Sequence, residues 1–196
     1  MPKVILSSKK YVSDSVYLDK WIVPSLVAHI KHQSLNQAWC TVRDFIPPLP
    51  PHMTDPILEP SIMSNTRHFL RIVRFKSIQD FKVCAIGRDA ECYVLSEFTP
   101  KCVIEFENKY KQRITANTVN TLFLIGSVSI MYTSRLEVES EFGMSFPSWP
   151  NNTLPILKIN QCAVFGMDQV ESHRHFQMLY EHEKYVNATR ISSRRG

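Results

Sequence analysis

The chain has 196 residues, of which 44% are hydrophobic and 21% are charged, so it can bury the core of one domain and does not have the composition of a disordered protein. It contains only 5 glycines and neither a GxGxxG nor a GxxxxGK[ST] pattern, which excludes the glycine-rich phosphate loops of nucleotide-binding proteins. A formal net charge of +5 suits an acidic protein partner as well as a phosphate backbone.

The N-terminal third is predicted to contain one helix followed by an extended segment. Apolar residues recur there at the spacing of one helix face. They are Trp21, Ile22, Leu26 and Ile30. Residues 44–66 contain six prolines, which exclude a regular helix or a central strand. Because apolar side chains alternate with these prolines, we expect the stretch to lie across the domain as a strap.

Five strands are predicted next, with one helix between the third and the fourth. The first three runs of branched and aromatic residues are joined by short polar turns, which is typical of an antiparallel meander. Thr99 can cap a helix that starts at Pro100. Val103 and Phe106 then lie on its inward face. The predicted strands cover 68–76, 81–87, 91–98, 121–132 and 156–165, and the predicted helix covers 100–113.

This order of elements predicts a mainly β fold with flanking helices. A helix between the third and fourth strands of a five-stranded closed barrel is the OB arrangement, and an α+β sandwich with the same order is the alternative. A single OB-fold domain is expected over residues 1–186. Its parts are an N-terminal helix and proline-rich strap at 1–66, the barrel at 67–166 and a C-terminal helix at 167–186, followed by a disordered basic tail at 187–196.

Motifs for catalysis, metal binding or a membrane are missing or weak. His173, His175 and His182 could bind zinc or nickel, but no cysteine or carboxylate cluster stands at a ligand spacing, and an exposed histidine-rich helix is the better explanation. The five cysteines form no CxxC pair and no GxSxG occurs. No apolar run approaches the roughly 20 residues of a membrane span. We therefore expect no enzyme activity, no metal, no cofactor and no membrane contact.

Single-stranded nucleic acid is a possible ligand for a barrel of this kind, because OB folds combine a basic groove with aromatic stacking surfaces. The basic residues are Arg71, Arg74, Lys76 and Lys82, and the aromatic residues near them are Phe69, Phe75, Phe81 and Tyr93. The alternative is that these rings fill the barrel. Alternation favours a core position for Phe81, which shares a predicted face with Val83 and Ala85.

Several segments resemble a known family in their order and spacing. They are MPKVIL, DSVYLDKWI, HFLRIVRF, FKVCAIGRD, RITANTVN and ILKINQCAVFGMDQV, which together touch most of residues 1–170. In these segments the chain resembles the small OB-fold accessory subunits of budding-yeast telomerase, the third of the "ever shorter telomeres" proteins. That family is similar to the OB domain of the mammalian shelterin protein that recruits telomerase. The resemblance fades between residues 33 and 65 and after Ser172.

The resemblance implies a non-catalytic regulatory subunit of the telomerase holoenzyme, needed for telomere maintenance and located in the nucleus at chromosome telomeres. Its implied partners are the N-terminal domain of the telomerase reverse transcriptase and another telomerase regulatory subunit, with at most a weak or indirect nucleic-acid contact. A single-stranded telomeric DNA or RNA binder that uses the basic groove is the alternative function.

The same resemblance implies a protein-binding surface on one barrel face. Its residues match Trp21, Arg74, Asp89, Arg113 and Asn120, with an arginine at 74 where lysine is usual. We expect them to form one exposed set, although Trp21 could instead anchor the N-terminal helix. Asp168 also matches a family position. It is expected either to pair with Arg71 or to contact telomerase directly.

Overall fold

The computed structural model describes residues 18–32, 41–50, 68–146, 153–166 and 175–193. In it five strands form a closed barrel through four antiparallel pairings and one parallel pairing. The barrel strands are β2 (Phe69–Gln79), β3 (Lys82–Arg88), β4 (Cys92–Phe98), β5 (Leu122–Ser134) and β6 (Thr153–Gly166). Strand β3 lies between β2 and β4, β4 pairs in parallel with β6, and β5 joins β6 back to β2. This ring is the OB arrangement, so the predicted fold is confirmed and the sandwich alternative is wrong.

Helix α2 (Pro100–Tyr110) closes one end of the barrel at the predicted place. The backbone N–H of Cys102 donates to the Thr99 hydroxyl at 3.3 Å, which satisfies one of the free donors of the first turn. The helix ends three residues before the predicted end because Lys111 adopts a left-handed conformation with φ 54°. Val103 and Phe106 are buried.

The N-terminal helix forms as predicted, and a strand follows it. Helix α1 covers Ile22–His32, and β1 covers Val42–Ile46. The prolines of the strap begin directly after β1, which lies at the edge of the sheet and pairs antiparallel with β5. Residues 51–67, most of the predicted strap, lie outside the described ranges.

Gly126 makes room for the chain that follows β1. A Cβ atom added there would stand 2.5 Å from Leu49 Cγ and 2.8 Å from the Leu49 backbone nitrogen. The Leu49 N–H itself donates to the side chain of Gln161 on β6 at 2.9 Å. Only glycine permits this close approach, so Gly126 marks a crossing of two chain segments.

Two helices lie where loops or a tail were expected. Helix α3 (Arg135–Phe142) lies between the fourth and fifth predicted strands, where no helix was predicted, and it carries a capping box in which Ser134 and Glu137 satisfy each other's backbone donors. Gly143 ends it with φ 58°. Ser134 with Glu137 and the later Gly143 are sequence signals for the start and end of a helix. The alternating Glu137, Glu139 and Glu141 concealed the inward face formed by Val138 and Phe142.

The predicted C-terminal helix at 167–186 is wrong over residues 175–182, and the disordered tail expected at 187–196 is helical over residues 187–193. Residues 177–178 form the short strand β7 beside β4, and a 3-10 turn and then α4 (Glu183–Ser193) follow. The buried Tyr180 hydroxyl accepts from the Leu95 N–H at 3.2 Å and donates to the Pro155 carbonyl at 2.9 Å. These bonds hold the segment extended. None of the helices in the described ranges is long and apolar enough to cross a membrane.

Phe81 is not in the core. The turn between β2 and β3 consists of Asp80 and Phe81, with φ 48° and 63°, and Gln79 pairs with Lys82 across it. This is a two-residue turn of the type that Asn-Gly and Asp-Gly sequences favour. The Phe81 side chain is 72% exposed. A tight turn therefore overrides the alternation that predicted burial.

We predict that Phe81→Gly raises the free energy of unfolding by about 0.5–1 kcal/mol. A phenylalanine at φ 63° bears the steric penalty of the left-handed region, which glycine avoids, and the exposed ring contributes little burial. Chemical denaturation measures the change. Phe81→Ala is the control, because it removes the ring but keeps the penalty and should leave stability nearly unchanged. Equal stabilisation by both variants would contradict the strained turn.

We also predict that Phe106→Ala costs about 3–5 kcal/mol of stability, as truncation of buried phenylalanines does. Phe106 is 2% exposed, and its ring centroid lies 4.8 Å from that of Tyr110 and 5.8 Å from that of Phe123. Ile104 on the same helix is 49% exposed and supplies the control. Ile104→Ala should change stability by about 0.5 kcal/mol or less. Comparable losses in the two variants would show that α2 does not pack as described.

Candidate functional site

Asp89 is the most highly bonded side chain among the predicted site residues. It is fully buried, and its carboxylate accepts four backbone hydrogen bonds. Oδ2 accepts from the N–H groups of Trp21 and Ile22, both at 2.9 Å. Oδ1 accepts from those of Glu91 at 2.7 Å and Cys92 at 2.9 Å. One carboxylate therefore joins the start of α1 to the turn between β3 and β4.

This arrangement has a clear physical reason. The first N–H groups of a helix have no partner inside the helix and carry a partial positive charge, so a carboxylate placed there is stabilised. The same carboxylate folds the β3–β4 turn by bonding the N–H groups two and three residues ahead. The expectation that Asp89 lies on an exposed surface is wrong, because its oxygens point inward.

Trp21 is also buried, with 7% of its surface exposed. Its indole Nε1 donates to the Phe69 carbonyl at 2.8 Å, and its ring meets that of His68 edge-on at a centroid distance of 4.9 Å. Both contacts lie at the beginning of β2. Of the two interpretations of Trp21, the structure supports the one in which it anchors the N-terminal helix to the barrel.

Arg71 and Asn120 form a second contact between elements. Arg71 is 4% exposed, and its Nη2 donates to Asn120 Oδ1 at 3.1 Å. Asn120 stands at the start of β5 with φ 67°, a conformation that asparagine tolerates better than most residues. Its N–H donates to the Ile72 carbonyl at 2.7 Å. Asp168, the other expected partner of Arg71, lies outside the described residues.

Arg74 and Arg113 are the solvent-facing members of the predicted site. Arg74 is exposed on β2, two residues beyond the strand position that Asn120 contacts. Arg113 follows α2, its side chain is 78% exposed, and its Nε lies 3.7 Å from Glu107 Oε1. The predicted set thus divides into buried anchors (Trp21 and Asp89) and three residues that reach solvent: Arg74, Arg113 and the half-buried Asn120. We group these three under the name arginine surface.

The expected aromatic groove is mostly closed. Phe69 is 3% exposed, and Phe75 and Tyr93 pack against the core as partly buried side chains. Lys82, expected to supply groove charge, instead pairs with Glu141 and lies 3.5 Å from Glu97. Stacking of bases requires open ring faces. Of the rings considered, Phe81 alone is largely exposed.

Three of the described thiols, those of Cys84, Cys92 and Cys162, are in environments that suppress nucleophilic chemistry. Burial raises the pKa of Cys84 to about 11 and raises that of Cys92 further. A hydrogen bond with Cys102, whose sulfur is 3.5 Å away, and then burial raise the pKa of Cys162. A thiol must lose its proton to act as a nucleophile. At neutral pH these groups stay protonated, which is typical of structural cysteines.

The histidines considered as metal ligands do not come together in the described ranges. His175 is exposed, His182 Nε2 lies 3.8 Å from Glu91 Oε1, and His173 is outside the described residues. Within those ranges no group of three or more histidine, cysteine, aspartate or glutamate side chains could hold a metal ion.

Comparison with known proteins gives a consistent result. The family model described as shelterin complex subunit, TPP1/ACD, matches residues 18–181. The chain is similar to the telomere replication protein EST3 of Eremothecium gossypii, with 44% identity over 96% of this chain and 93% of that protein. For the protein of the same name from Kluyveromyces lactis the identity is 33%, over 92% and 98%.

A solved structure supports the fold independently. The chain resembles the structure titled Est3 telomerase subunit in the yeast Hansenula polymorpha, with a TM-score of 0.59 and 18% sequence identity. The similarity covers 96% of this chain and 93% of that one. It extends the OB-type fold to a distant sequence.

We predict that Asp89→Ala lowers the free energy of unfolding by about 3 kcal/mol, because four backbone donors lose a charged acceptor. Asp89→Asn keeps one acceptor oxygen and should lose less. Asp19 is exposed, so Asp19→Ala is the control and should change stability by about 0.5 kcal/mol or less. Thermal and urea denaturation decide the matter. A melting temperature of Asp89→Ala equal to that of the unmodified protein would contradict the anchoring role.

Proposed function

Because the chain belongs to the family of the shelterin complex subunit TPP1/ACD, we propose that it is a non-catalytic regulatory subunit of the telomerase holoenzyme. Its relatives are named telomere replication proteins, and the related solved structure is titled a telomerase subunit. We infer that it binds the N-terminal domain of the telomerase reverse transcriptase and, in the same complex, another regulatory subunit. Its place of action is then the nucleus, at telomeres.

The observation that carries this proposal is the arginine surface. Arg74 stands on a barrel strand, and Asn120 is held by Arg71 and by the Ile72 carbonyl. Asn120, fixed in this way, loses little conformational freedom when a partner binds, which favours affinity and fixes orientation. A polar surface carried by a closed barrel suits recognition of a folded protein.

The charge of this surface indicates the chemistry of the partner. Arg74 and Arg113 present guanidinium groups, which can bind carboxylates with two parallel hydrogen bonds. Among the described residues Arg113 pairs with the exposed Glu107 at 3.7 Å, and such exposed pairs contribute little stability. A partner carboxylate can replace Glu107 beside Arg113 with little loss of free energy. We therefore infer that the facing region of the reverse transcriptase is acidic.

The buried anchors act differently in this scheme. Trp21 and Asp89 fix α1 on the barrel, so they position neighbouring surfaces and do not touch the partner. Substitutions at these two residues should reduce binding in proportion to lost stability. Substitutions at the arginine surface should reduce binding without a loss of stability.

We predict that Arg74→Glu and Arg113→Glu each abolish association with the purified N-terminal domain of the cognate reverse transcriptase. Both side chains are exposed, so stability should change by about 0.5 kcal/mol or less. Lys101→Glu is the matched control, since Lys101 is 70% exposed on α2 and also has a glutamate neighbour. A pull-down with thermal melts of every variant gives both readouts.

Normal association of both arginine variants would refute the arginine surface as the binding site. The alternative function is tested in parallel with a single-stranded telomeric oligonucleotide at several salt concentrations. Tight, strongly salt-dependent binding to the free protein would favour the nucleic-acid binder, since counterion release makes such binding weaken steeply with salt. The closed aromatic groove leads us to expect weak binding.

A further inference from the structure

A cleft of about 520 Å³ runs alongside α1, on a part of the molecule that the arginine surface does not include. One wall is the start of α4, represented by Lys184, and the other is the β3–β4 turn, represented by Glu91. The cleft is an open groove. We call it the α1 groove.

The floor of the α1 groove is apolar. It is formed by Val23, Pro24, Val27 and Ala28. These residues stand at positions i, i+1, i+4 and i+5 of α1, so their side chains form one stripe along the helix. Pro24 and Ala28 are exposed, Val27 is half-buried and Val23 is buried. An apolar stripe that remains open to solvent between two elements can accept an apolar side chain from outside.

The rim of the α1 groove is positively charged. Lys20 and Lys31 lie at opposite ends of the stripe, and Lys184 lies across from it. Lys20 is 3.5 Å from Glu91, and Glu91 also faces His182 at 3.8 Å. Within the described ranges Lys31 and Lys184 form no ion pair. The rim therefore has three ammonium groups and one carboxylate, which already has a partner.

We propose that the α1 groove binds a short acidic peptide segment of a partner protein, with an apolar side chain on the floor and carboxylates at the lysines. Ten residues lie between Lys20 and Lys31, nine of them in α1, which corresponds to about 15 Å. An extended peptide of roughly five residues has the same length. The matching segment thus has acidic residues at its ends and apolar residues between them. This binding site is separate from the proposed contact with the reverse transcriptase.

A peptide fits the groove better than a nucleic acid does. A phosphate backbone carries charge at every step, but the middle of this groove is apolar and one side presents the Glu91 carboxylate. Among the described residues that line the cleft there is no aromatic ring for base stacking. A second copy of the chain, with a net charge of +5, is a poor source of acidic occupant.

The groove is also held in shape before anything binds. Helix α1 is fixed at its start by the Asp89 carboxylate and by the Trp21 indole, and it packs along α4. Binding to a preformed groove requires little reorganisation of the protein.

The test is fluorescence anisotropy of the full-length protein with a labelled peptide in which leucines are flanked on both sides by glutamates. The double variant Lys31→Glu with Lys184→Glu should bind at least about tenfold more weakly, because attraction becomes repulsion at two positions. Ala28→Trp should block the floor and weaken binding similarly without any change in charge. Lys101→Glu, a charge reversal on α2, should bind as the unmodified protein does.

Two further probes decide the chemistry of the occupant. A peptide with lysines in place of the glutamates, and one with serines in place of the leucines, should both fail to bind. Unchanged affinity in the double variant or in Ala28→Trp would overturn the proposal. So would a short oligothymidylate that displaces the acidic peptide and binds more tightly, since the occupant would then be a nucleic acid.

The two proposals fail separately. The double variant should still associate with the reverse transcriptase domain in the pull-down, and the arginine-surface variants should still bind the acidic peptide. The double variant could instead lose both peptide binding and association with the reverse transcriptase domain, with an unchanged melting temperature. That result would show that the α1 groove is part of the reverse transcriptase contact and would overturn the proposal of a separate binding site.

Discussion

The Asp89 carboxylate is the contact on which the N-terminal half of the architecture depends. Its two oxygens accept four backbone hydrogen bonds, two from the start of α1 and two from the β3–β4 turn. A buried charge is costly unless it is fully bonded, and here it is. The indole of Trp21 adds a bond to β2. The Asp89 and Trp21 side chains together fix α1 on the barrel, although a helix this short would be only marginally stable alone.

Fixing α1 has consequences for both proposed binding surfaces. The α1 groove exists only while α1 stays between the β3–β4 turn and α4. The arginine surface is farther along β2, where Asn120 is held by Arg71 and the Ile72 carbonyl. Loss of the Asp89 contact would therefore disturb binding through stability. A substitution there and one at Arg113 could give the same defect in cells for different physical reasons, and only a stability measurement separates them.

Much of the barrel was predictable from local sequence pattern. The five strands and α2 lie within a few residues of their predicted positions, because alternation, polar turns and the Thr99–Pro100 start are signals that neighbouring residues carry themselves. The resemblance to the telomerase family pointed to Arg74, Arg113 and Asn120. Side-chain roles were predicted less well. Asp89 was expected on the surface and is buried, since a loop carboxylate gives no local sign of the distant N–H groups that it will bond.

The sequence by itself determined that the chain forms a small closed barrel with a helix between its third and fourth strands. Tertiary structure decided where the C-terminal helix begins. The Tyr180 hydroxyl bonds to β4 and β6, and these bonds keep residues 177–182 out of the predicted helix. Tertiary structure also decided that Phe81 faces solvent, since register with β3 places that residue in a two-residue turn. Local patterns encode periodicity, but burial and bonding depend on partners that are distant in sequence.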